Sequence, residues 1–550
     1  MAVEFAEQDK EREKERETPS YTDSAATEKV FLNLTSAGAF GDERLIPAVF
    51  QEISLSFHAS LTQLGMLTLA GALSSSLVYP ISGVLGDSYY RSRIILWSLV
   101  GVAISTVALA LSASYEQMLF VKAINGVCIG LLVPSLQSLV GDMHDALHRG
   151  RGFGTLAFTG IMGAVLGSTL ATVLAASSYF GLEGWRFAML LWAGFIVVII
   201  VGLALFAATK LEAYDESKRE QIESMEKKQF QEQMAERCSQ GLERISYVLS
   251  IPTLRILILP QAVGNVPWMA MTGWVTFYLE AMGFSNGATA LLILITGLGF
   301  ALGTLLGGVI GDLAERADRL RGRIFLAQVA IGLGILLFVW DLEVLPRLLE
   351  GQDMIVAGLC YAISLFVTGV LSIGGTGAAC NLPIIVSCLP QDYHTSGIAV
   401  ERFFATVMSA FAAPLVGIIA EGYYDYNLEP DELGPVGAVG ADGKEIQPTF
   451  QPFASARATI VADSLVMVTT ISWLLSILVW TLVYFSYPKD RLSIDSDEEA
   501  RVIDGTSQGY GTGASSVSMA GSSIPPSFVS TGLAGSTGTL SDQDEEGKGA

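Results

Sequence analysis

The sequence contains little charge, since only 16% of its 550 residues are Asp, Glu, Lys or Arg. Soluble globular domains carry about 25% charged residues. Hydrophobic residues make up 51% of the chain, and the mean hydropathy is +0.49. This composition argues against an ordinary soluble enzyme and against a mainly disordered chain. It indicates a protein whose hydrophobic residues largely face lipid.

Basic residues are also scarce, with 32 Lys and Arg against 54 Asp and Glu and a net charge of −22. Nucleic acid is therefore not an expected partner, because neutralising its phosphates requires clustered Lys and Arg. The chain has five cysteines and no CxxC pair. We interpret the cysteines as reduced packing residues rather than as a disulfide framework.

The sequence lacks the motifs of common enzyme and metal sites. It contains no P-loop, no HExxH and no nucleophile elbow. His144 and His148, flanked by Asp142 and Asp145, have the spacing of two ligands on one helix face, but two histidines in a loop are a weak signal for a metal site. We therefore expect no enzyme activity, no catalytic residue, no metal site and no cofactor.

Twelve apolar stretches approach or exceed the roughly 20 residues that a helix needs to cross a bilayer. We place them at 28–50, 61–86, 94–114, 117–141, 152–177, 186–209, 254–282, 286–311, 322–341, 353–388, 396–420 and 459–487. The first is interrupted by charged residues, and we retain it because the charge pattern of the connections fits an even number. The tenth is long and contains Gly374, Gly375, Gly377 and Pro383.

Composition divides the chain into two apolar halves with charged or irregular segments around them. The segments are a disordered charged tail at 1–27, a first six-helix half at 28–209, a charged and partly helical cytoplasmic loop at 210–252, a second six-helix half at 253–487 with a long non-cytoplasmic loop at 421–457, and a disordered cytoplasmic tail at 488–550. Lys and Arg are concentrated in the connections on the side of the N-terminus, which predicts both termini in the cytosol. An endomembrane and the cell surface both fit, and we expect a monomer.

The same pentad follows the second and the eighth apolar stretch. It reads Gly83-Val-Leu-Gly-Asp87 in the first half and Gly308-Val-Ile-Gly-Asp312 in the second. Arginines follow each copy, namely Arg91 and Arg93, and then Arg316, Arg319, Arg321 and Arg323. The repetition predicts a duplicated, all-α membrane protein with two pseudo-symmetric halves, an architecture common among secondary transporters.

These pentads and their arginines resemble the loop motif of the major facilitator superfamily. Gly184-Trp185-Arg186 and Arg149-Gly150-x-Gly152-Phe153-Gly154 are also similar to superfamily patterns. Within it the chain resembles the spinster-like branch, especially plant and algal members, through FGDERLIPAVFQEIS, KAINGVCIGLLVPSLQSLVGD, IPTLRILILPQAVGNVPWMA and YPKD. The resemblance runs from about 28 to 490. It implies twelve transmembrane helices and proton-coupled secondary transport, by alternating access, of a lysophospholipid or sphingolipid-like amphiphile.

The pentads predict a contact that closes the cytoplasmic side. Their glycines are small enough to let two helices approach closely: Gly83, Gly86, Gly308 and Gly311. Asp87 and Asp312 lie at the cytoplasmic ends of their helices, where a carboxylate is unfavourable to its own helix dipole. We expect each aspartate to meet a following arginine, or the N-terminus of a helix from the other half. A signal for topology and folding alone is the alternative.

Ionisable residues inside an apolar stretch are costly and are candidates for function. Asp42, Glu43 and Arg44 interrupt the first stretch. The spinster-like resemblance implies proton coupling at this point, with Asp42 or Glu43 as the proton carrier. Lys122 opens the fourth stretch, at a place where the superfamily usually has an Arg that is often linked to proton coupling. Charges that are merely solvated at an aqueous edge are the alternative for the first stretch.

Glu401 and Arg402 form a further charged pair near the start of the eleventh stretch. They predict either a second buried ion pair or a pair whose charged ends reach the membrane interface.

The seventh stretch predicts a broken helix, because Pro260 and Pro267 free backbone groups that must face protein or a cavity. This suggests a substrate cavity nearby. The candidates for its lining are Gln137, Asn265, Trp268, Trp274, Tyr361 and Asn381. A packing role is the alternative for each of them.

Two other functions are compatible with the sequence. One is a transporter for a small polar solute such as a sugar, an organic acid or an amine. The other, in a different class, is a membrane receptor or scaffold that moves nothing. The partners common to the transporter hypotheses are a small-molecule or lipid substrate, protons and the membrane lipids.

Overall fold

The computed structural model describes residues 21–88, 90–143, 149–207, 241–371, 380–390, 393–424, 450 and 456–508. The first half contains α1 (Tyr21–Leu45), a short turn (Pro47–Val49), α2 (Phe50–Phe57), α3 (Leu61–Ser88), α4 (Arg91–Ala110), α5 (Tyr115–Asp142), α6 (Arg149–Ala175), β1 (Ser178–Tyr179), β2 (Leu182–Glu183) and α7 (Gly184–Gly202) with a π-turn (Leu203–Ala207). The two short strands form an antiparallel hairpin in which Ser178 pairs with Glu183.

The second half repeats this helical order. It contains α8 (Gly241–Ser250), α9 (Pro252–Ala281), α10 (Asn286–Ala317), α11 (Gly322–Val339) with a π-turn (Trp340–Val344), α12 (Leu345–Leu349), α13 (Met354–Leu371), α14 (Leu382–Ser387), α15 (His394–Ala410), α16 (Ala412–Gly422) and α17 (Ala456–Gln508). Helix α8 meets α9 at an angle of 92°.

Among the described residues, ten helices are long and apolar enough to cross a membrane, and α8 with α9 brings the number to eleven. Helix α1 is 25 residues long but fails this test, since Asp42, Glu43 and Arg44 reduce its hydropathy. We assign it as the first span because it packs along α6 inside the bundle. The assignment gives the twelve spans expected from the sequence.

The packing confirms the predicted duplication. In the first half α1 packs against α6 and α3 packs against α5. In the second half the corresponding helices make the same two pairs, α9 with α15 and α10 with α13. Helices approach most closely at glycines, for example at Gly126, whose missing side chain lets α5 lie against the backbone of Gly71 in α3.

Several predicted boundaries differ from the observed ones. Helix α1 begins at Tyr21 rather than at 28, and α17 continues to Gln508 although a disordered tail was expected from 488. The sequence from 489 to 504 contains neither glycine nor proline, so nothing local ends that helix. Most of the predicted loops at 210–252 and 421–457 lies outside the described residues.

The two ends of the bundle are named here by their connections. The basic face carries the connections α3–α4, α5–α6 and α10–α11, and the distal face carries the connections α2–α3, α9–α10 and α16 to α17. The halves are in contact at the distal face, where Gly65 of α3 lies against Pro414 of α16 and Thr62 donates hydrogen bonds to both oxygens of Glu421, at 2.8 and 2.6 Å.

A second contact between the halves joins α6 and α10 near the middle of the bundle. Val165 of α6 lies where a side chain at Gly297 of α10 would have to be placed. Helix α3 makes the pseudo-symmetric contact with α15.

Candidate functional site

The charged residues of α1 lie in a buried polar cluster that joins three helices of the first half. Asp42 is 2% exposed, and its two carboxylate oxygens accept hydrogen bonds from the Thr106 hydroxyl of α4 and from the Asn125 amide of α5, the latter at 2.8 Å. The Lys122 ammonium donates to the Asn125 Oδ1 at 2.9 Å. Asn125 thus connects the carboxylate to the cation, and the Asn125 amide also donates to Ser105 at 3.1 Å.

Glu43 and Arg44 follow Asp42 on α1 but are less buried. Glu43 interacts electrostatically with Arg44 and Lys122. Tyr79 of α3 interacts electrostatically with Glu43 and also with Arg402 of α15 in the other half. The structure therefore brings these predicted proton-coupling residues into one electrostatic neighbourhood, to which Glu401 is connected through Arg402.

Glu401 and Asn381 form a polar contact inside the second half. Both side chains are buried, at 5% and 1% exposure, and the Asn381 amide hydrogen-bonds the Glu401 carboxylate. Arg402 attracts Glu401 electrostatically. Among the described residues the Asn381 Oδ1 has no hydrogen-bond donor, although it is buried. The sequence left open whether Glu401 is buried or reaches the membrane interface, and the structure shows its side chain buried.

The predicted cavity residues separate into two groups. Trp274 is fully buried, donates its indole N–H to the Ala413 carbonyl at 3.0 Å and meets the Phe50 ring edge-on. Tyr361 is also buried, in the interior of the second half beside Met282. Both are therefore packing residues and not cavity residues, because their rings fill space between tightly packed helices.

Gln137, Asn265 and Trp268 remain only half-buried. Asn265 donates to the Ser409 hydroxyl at 2.9 Å, and Trp268 stacks on Phe300 with ring centroids 4.5 Å apart.

The second pentad makes its ionic contact inside its own half. Arg323, the second residue of α11, lies 2.9 Å from the Asp312 carboxylate and 2.6 Å from that of Glu315. Arg491 of α17 extends the network to the other oxygen of Glu315, at 3.4 Å. Of the two partners expected for Asp312, a following arginine or a helix N-terminus of the other half, the structure shows the arginine. Four arginines follow this pentad, and the sequence did not indicate that Arg323 would be the one to pair with Asp312.

Arg316 lies with Asp312, Glu315 and Arg319 around an open pocket of the basic face. Gly311 is buried, whereas no described atom lies within 4 Å of a side chain built at Gly308. Close helix contact therefore does not explain Gly308 in this conformation, which corrects the expectation for that position.

The first pentad is only partly visible. Gly83, Gly86 and Asp87 lie outside the residues whose surroundings the structure describes. Arg91 begins α4 and is 9% exposed, as Arg323 is near the start of α11. Arg93 lies over the Tyr90 ring at 4.8 Å.

Sequence reasoning missed the uncharged members of the polar cluster and the buried acid Asp341. Thr106 and Asn125 gave no signal, since single polar residues are common in apolar spans. Asp341 is 3% exposed in the π-turn after α11, and its oxygens accept from Ser364 at 2.5 Å and Thr368 at 2.6 Å. Its charge at the end of an apolar stretch was a usable signal, and π-turns are frequent at functional sites.

The described residues contain no group of three or more His, Cys, Asp and Glu side chains able to hold a metal ion. His144 and His148 lie outside that part of the chain.

A family model described as Major Facilitator Superfamily matches residues 32–413. The chain belongs to this superfamily. The assignment supports a transporter rather than an enzyme. It covers the charged end of α1 and the whole polar cluster.

Curated relatives of this superfamily protein match over shorter lengths. A probable actinorhodin transporter of Streptomyces coelicolor is 28% identical over 146 residues, which cover 26% of this chain and 25% of the relative. The quinolone resistance protein NorA of Staphylococcus aureus is 23% identical over 135 residues, covering 24% and 34%. The chain thus spans only about a quarter to a third of these relatives.

Solved structures match the superfamily fold over most of the chain. A bacterial homologue of the human lysosomal transporter Spinster, inward-facing and unoccupied, aligns with a TM-score of 0.62 at 16% identity and covers 86% of this chain and 99% of its own. A D-xylose–proton symporter aligns with a TM-score of 0.54 at 13% identity, covering 81% and 97%. The expected resemblance to the spinster-like branch is confirmed at the level of the fold.

Proposed function

We propose that this superfamily member is a secondary active transporter that couples cargo movement to protons by alternating access. The observation that supports this most is the buried cluster of Asp42, Asn125 and Lys122, which lies beside the half-buried Glu43 and Arg44. Ionisable groups held inside a membrane domain are expensive and persist where they serve ion pathways.

The geometry favours Glu43 as the group that exchanges the proton. Both oxygens of Asp42 already accept hydrogen bonds, from Thr106 and Asn125, which satisfies a charged carboxylate. Glu43 is more exposed and lies in the electrostatic neighbourhood of Tyr79, which also interacts with Arg402 of the other half. A change of charge at Glu43 therefore alters the interaction between the halves, which is what coupling requires.

Contacts between the halves support a conformation that opens towards the basic face. The distal face is closed by Thr62 with Glu421 and by Phe50 with Trp274, whose ring centroids are 5.2 Å apart. Asp312, in contrast, is held by its own half. An alternating-access transporter must break the distal contacts and form new ones at the basic face.

For the cargo we propose a lysophospholipid or sphingolipid-like amphiphile, on the resemblance to the spinster-like branch. Reconstitution into liposomes with a panel of labelled lipids and polar solutes, with and without a proton gradient, tests this. We expect gradient-dependent flux of a lysolipid. Competition by sugars, organic acids or amines, without an effect of lysolipids, would select the polar-solute function instead, and no flux at all would indicate a receptor or scaffold.

We propose further that the basic face is cytosolic. Cysteines introduced at Phe230 and Gly440, in an otherwise cysteine-free chain, test the orientation in sealed cells. We expect an impermeant maleimide to label only the cysteine at 440, because residue 230 belongs to the loop on the basic side. Labelling of both positions from one compartment contradicts the proposed orientation and the five spans expected between them.

A further inference from the structure

Two glutamates from opposite halves meet at the distal face. Glu52 lies on α2 of the first half and Glu280 in the last turn of α9 of the second. The side-chain amide of Asn286, at the start of α10, donates to Glu52 Oε1 at 3.1 Å and to Glu280 Oε1 at 3.3 Å. A single amide therefore holds two carboxyl groups together across the interface.

This arrangement leaves each carboxyl half-satisfied. An amide nitrogen has two hydrogens, and Asn286 uses them on one oxygen of each glutamate. Glu52 Oε2 and Glu280 Oε2 are buried, and neither has a partner among the described residues. Buried polar atoms in native proteins are almost always hydrogen-bonded. Two oxygens facing one interface without a donor point to a ligand that supplies one.

The charges around the pair identify that ligand. The charged group that acts on Glu280 is Glu52, so two like charges would meet at this interface. Among the described ion pairs none includes either glutamate. Like charges at close range in a dry site do not both ionise, and one proton shared by the pair removes the repulsion and provides the missing hydrogen.

Glu421 provides a contrast in the same interface. Both of its oxygens accept from Thr62, at 2.8 and 2.6 Å, so it is satisfied as a charged carboxylate. It therefore holds the halves together without needing a proton.

We propose that Glu52, Glu280 and Asn286 form a proton-binding site between the two halves, which keeps the distal face closed while it holds one proton. Loss of that proton leaves two carboxylates facing each other, and their repulsion separates the halves at this face. The pH of the distal compartment thereby sets how readily the protein opens towards it. The site is separate from Asp42 and Glu43 and requires no cargo.

The test measures the opening of the distal face as a function of pH. Spin labels are placed at Ala176 and Leu348, exposed positions at the distal ends of the two halves. The background carries no cysteine, so Cys128, Cys238, Cys360, Cys380 and Cys388 are replaced. Pulsed electron resonance on the full chain in lipid nanodiscs then gives the ratio of closed to open molecules between about pH 5 and about pH 8. For linkage to one proton we expect this ratio to fall by up to about tenfold per pH unit.

Three variants separate the pair from other causes. Glu52→Gln with Glu280→Gln should be closed at every pH, because neutral side chains do not repel. Glu421→Gln, the matched control in the same interface, should change the ratio but keep the wild-type slope. Asn286→Asp adds a third carboxyl and should move the midpoint of closure to lower pH, which keeps the proposal testable if the double variant fails to fold.

Several results would overturn the proposal. A ratio that does not change with pH in the wild type, or a wild-type slope in the double Gln variant, excludes the pair as the sensor. If the ratio of closed to open molecules changes when sodium is replaced by choline at fixed pH, the site binds a metal cation instead of a proton. The pH response should also persist with Asp42→Asn and Glu43→Gln together, so that the proposed coupling site and this site fail or succeed independently.

Discussion

With Glu43→Gln, cargo no longer accumulates in liposomes when a proton gradient is imposed. A gradient of one pH unit corresponds to about 1.4 kcal/mol and drives at most about tenfold accumulation for each coupled proton. The variant should therefore lose this tenfold accumulation, because the amide carries no titratable proton. Exchange of labelled for unlabelled cargo without a gradient should continue, since the path through the bundle is unchanged. Both quantities are measured as uptake of labelled cargo over time.

Glu116→Gln is the matched control for this experiment, because Glu116 is an exposed acid on α5 of the same half. It should accumulate cargo like the wild type. Normal accumulation by Glu43→Gln would instead assign the coupled proton to another group. Loss of exchange together with accumulation would mean that Glu43 holds the fold or the cargo rather than the proton.

Lys122→Met should strongly destabilise the first half. Lys122 is 4% exposed and interacts electrostatically with Asp42 and Glu43, so its removal leaves the buried Asp42 carboxylate without this cation. Removing one partner of a buried charge pair costs about 3–5 kcal/mol. We expect a loss of this size in the free energy of unfolding of the purified protein, measured by denaturant titration in detergent.

Adding Asp42→Asn to Lys122→Met should recover part of that loss. The two single variants and the double variant form a cycle whose coupling energy we expect at about 1–3 kcal/mol, because Asn125 connects both groups. Additive losses would show that Lys122 and Asp42 do not act through one cluster. In that case the buried lysine would contribute mainly by packing against Gly71.

The spans, the duplication and the charged end of α1 could be predicted because each is a local signal. Apolar length, a repeated pentad and a carboxylate inside an apolar run can be recognised without knowing what lies opposite. The partners of these groups could not be predicted. Asp42 meets Asn125 across 83 positions, and Glu52 meets Asn286 across 234. Neither polar partner stands out in its own segment.

The misplaced aromatic residues have a related cause. Trp274 and Tyr361 lie near helix breaks or in a broken span, and a break favours a cavity. A large ring, however, is also what best fills an irregular gap between helices. The sequence does not distinguish these uses, because it does not show whether the facing helix is in contact or is separated by solvent. In the structure Ala413 and Met282 occupy those facing positions.

The meeting of Val165 with Gly297 divides α10 into two unequal arms. Gly297 is nearer to Asn286, at about 17 Å, than to Ala317, at about 30 Å, for a rise of 1.5 Å per residue. If the halves turn about this fulcrum, a swing of about 10° displaces the short arm by about 3 Å and the long arm by about 5 Å. The opening at the basic face would then widen nearly twice as far as the opening at the distal face. A bulky cargo molecule would therefore be more tightly restricted at the distal face.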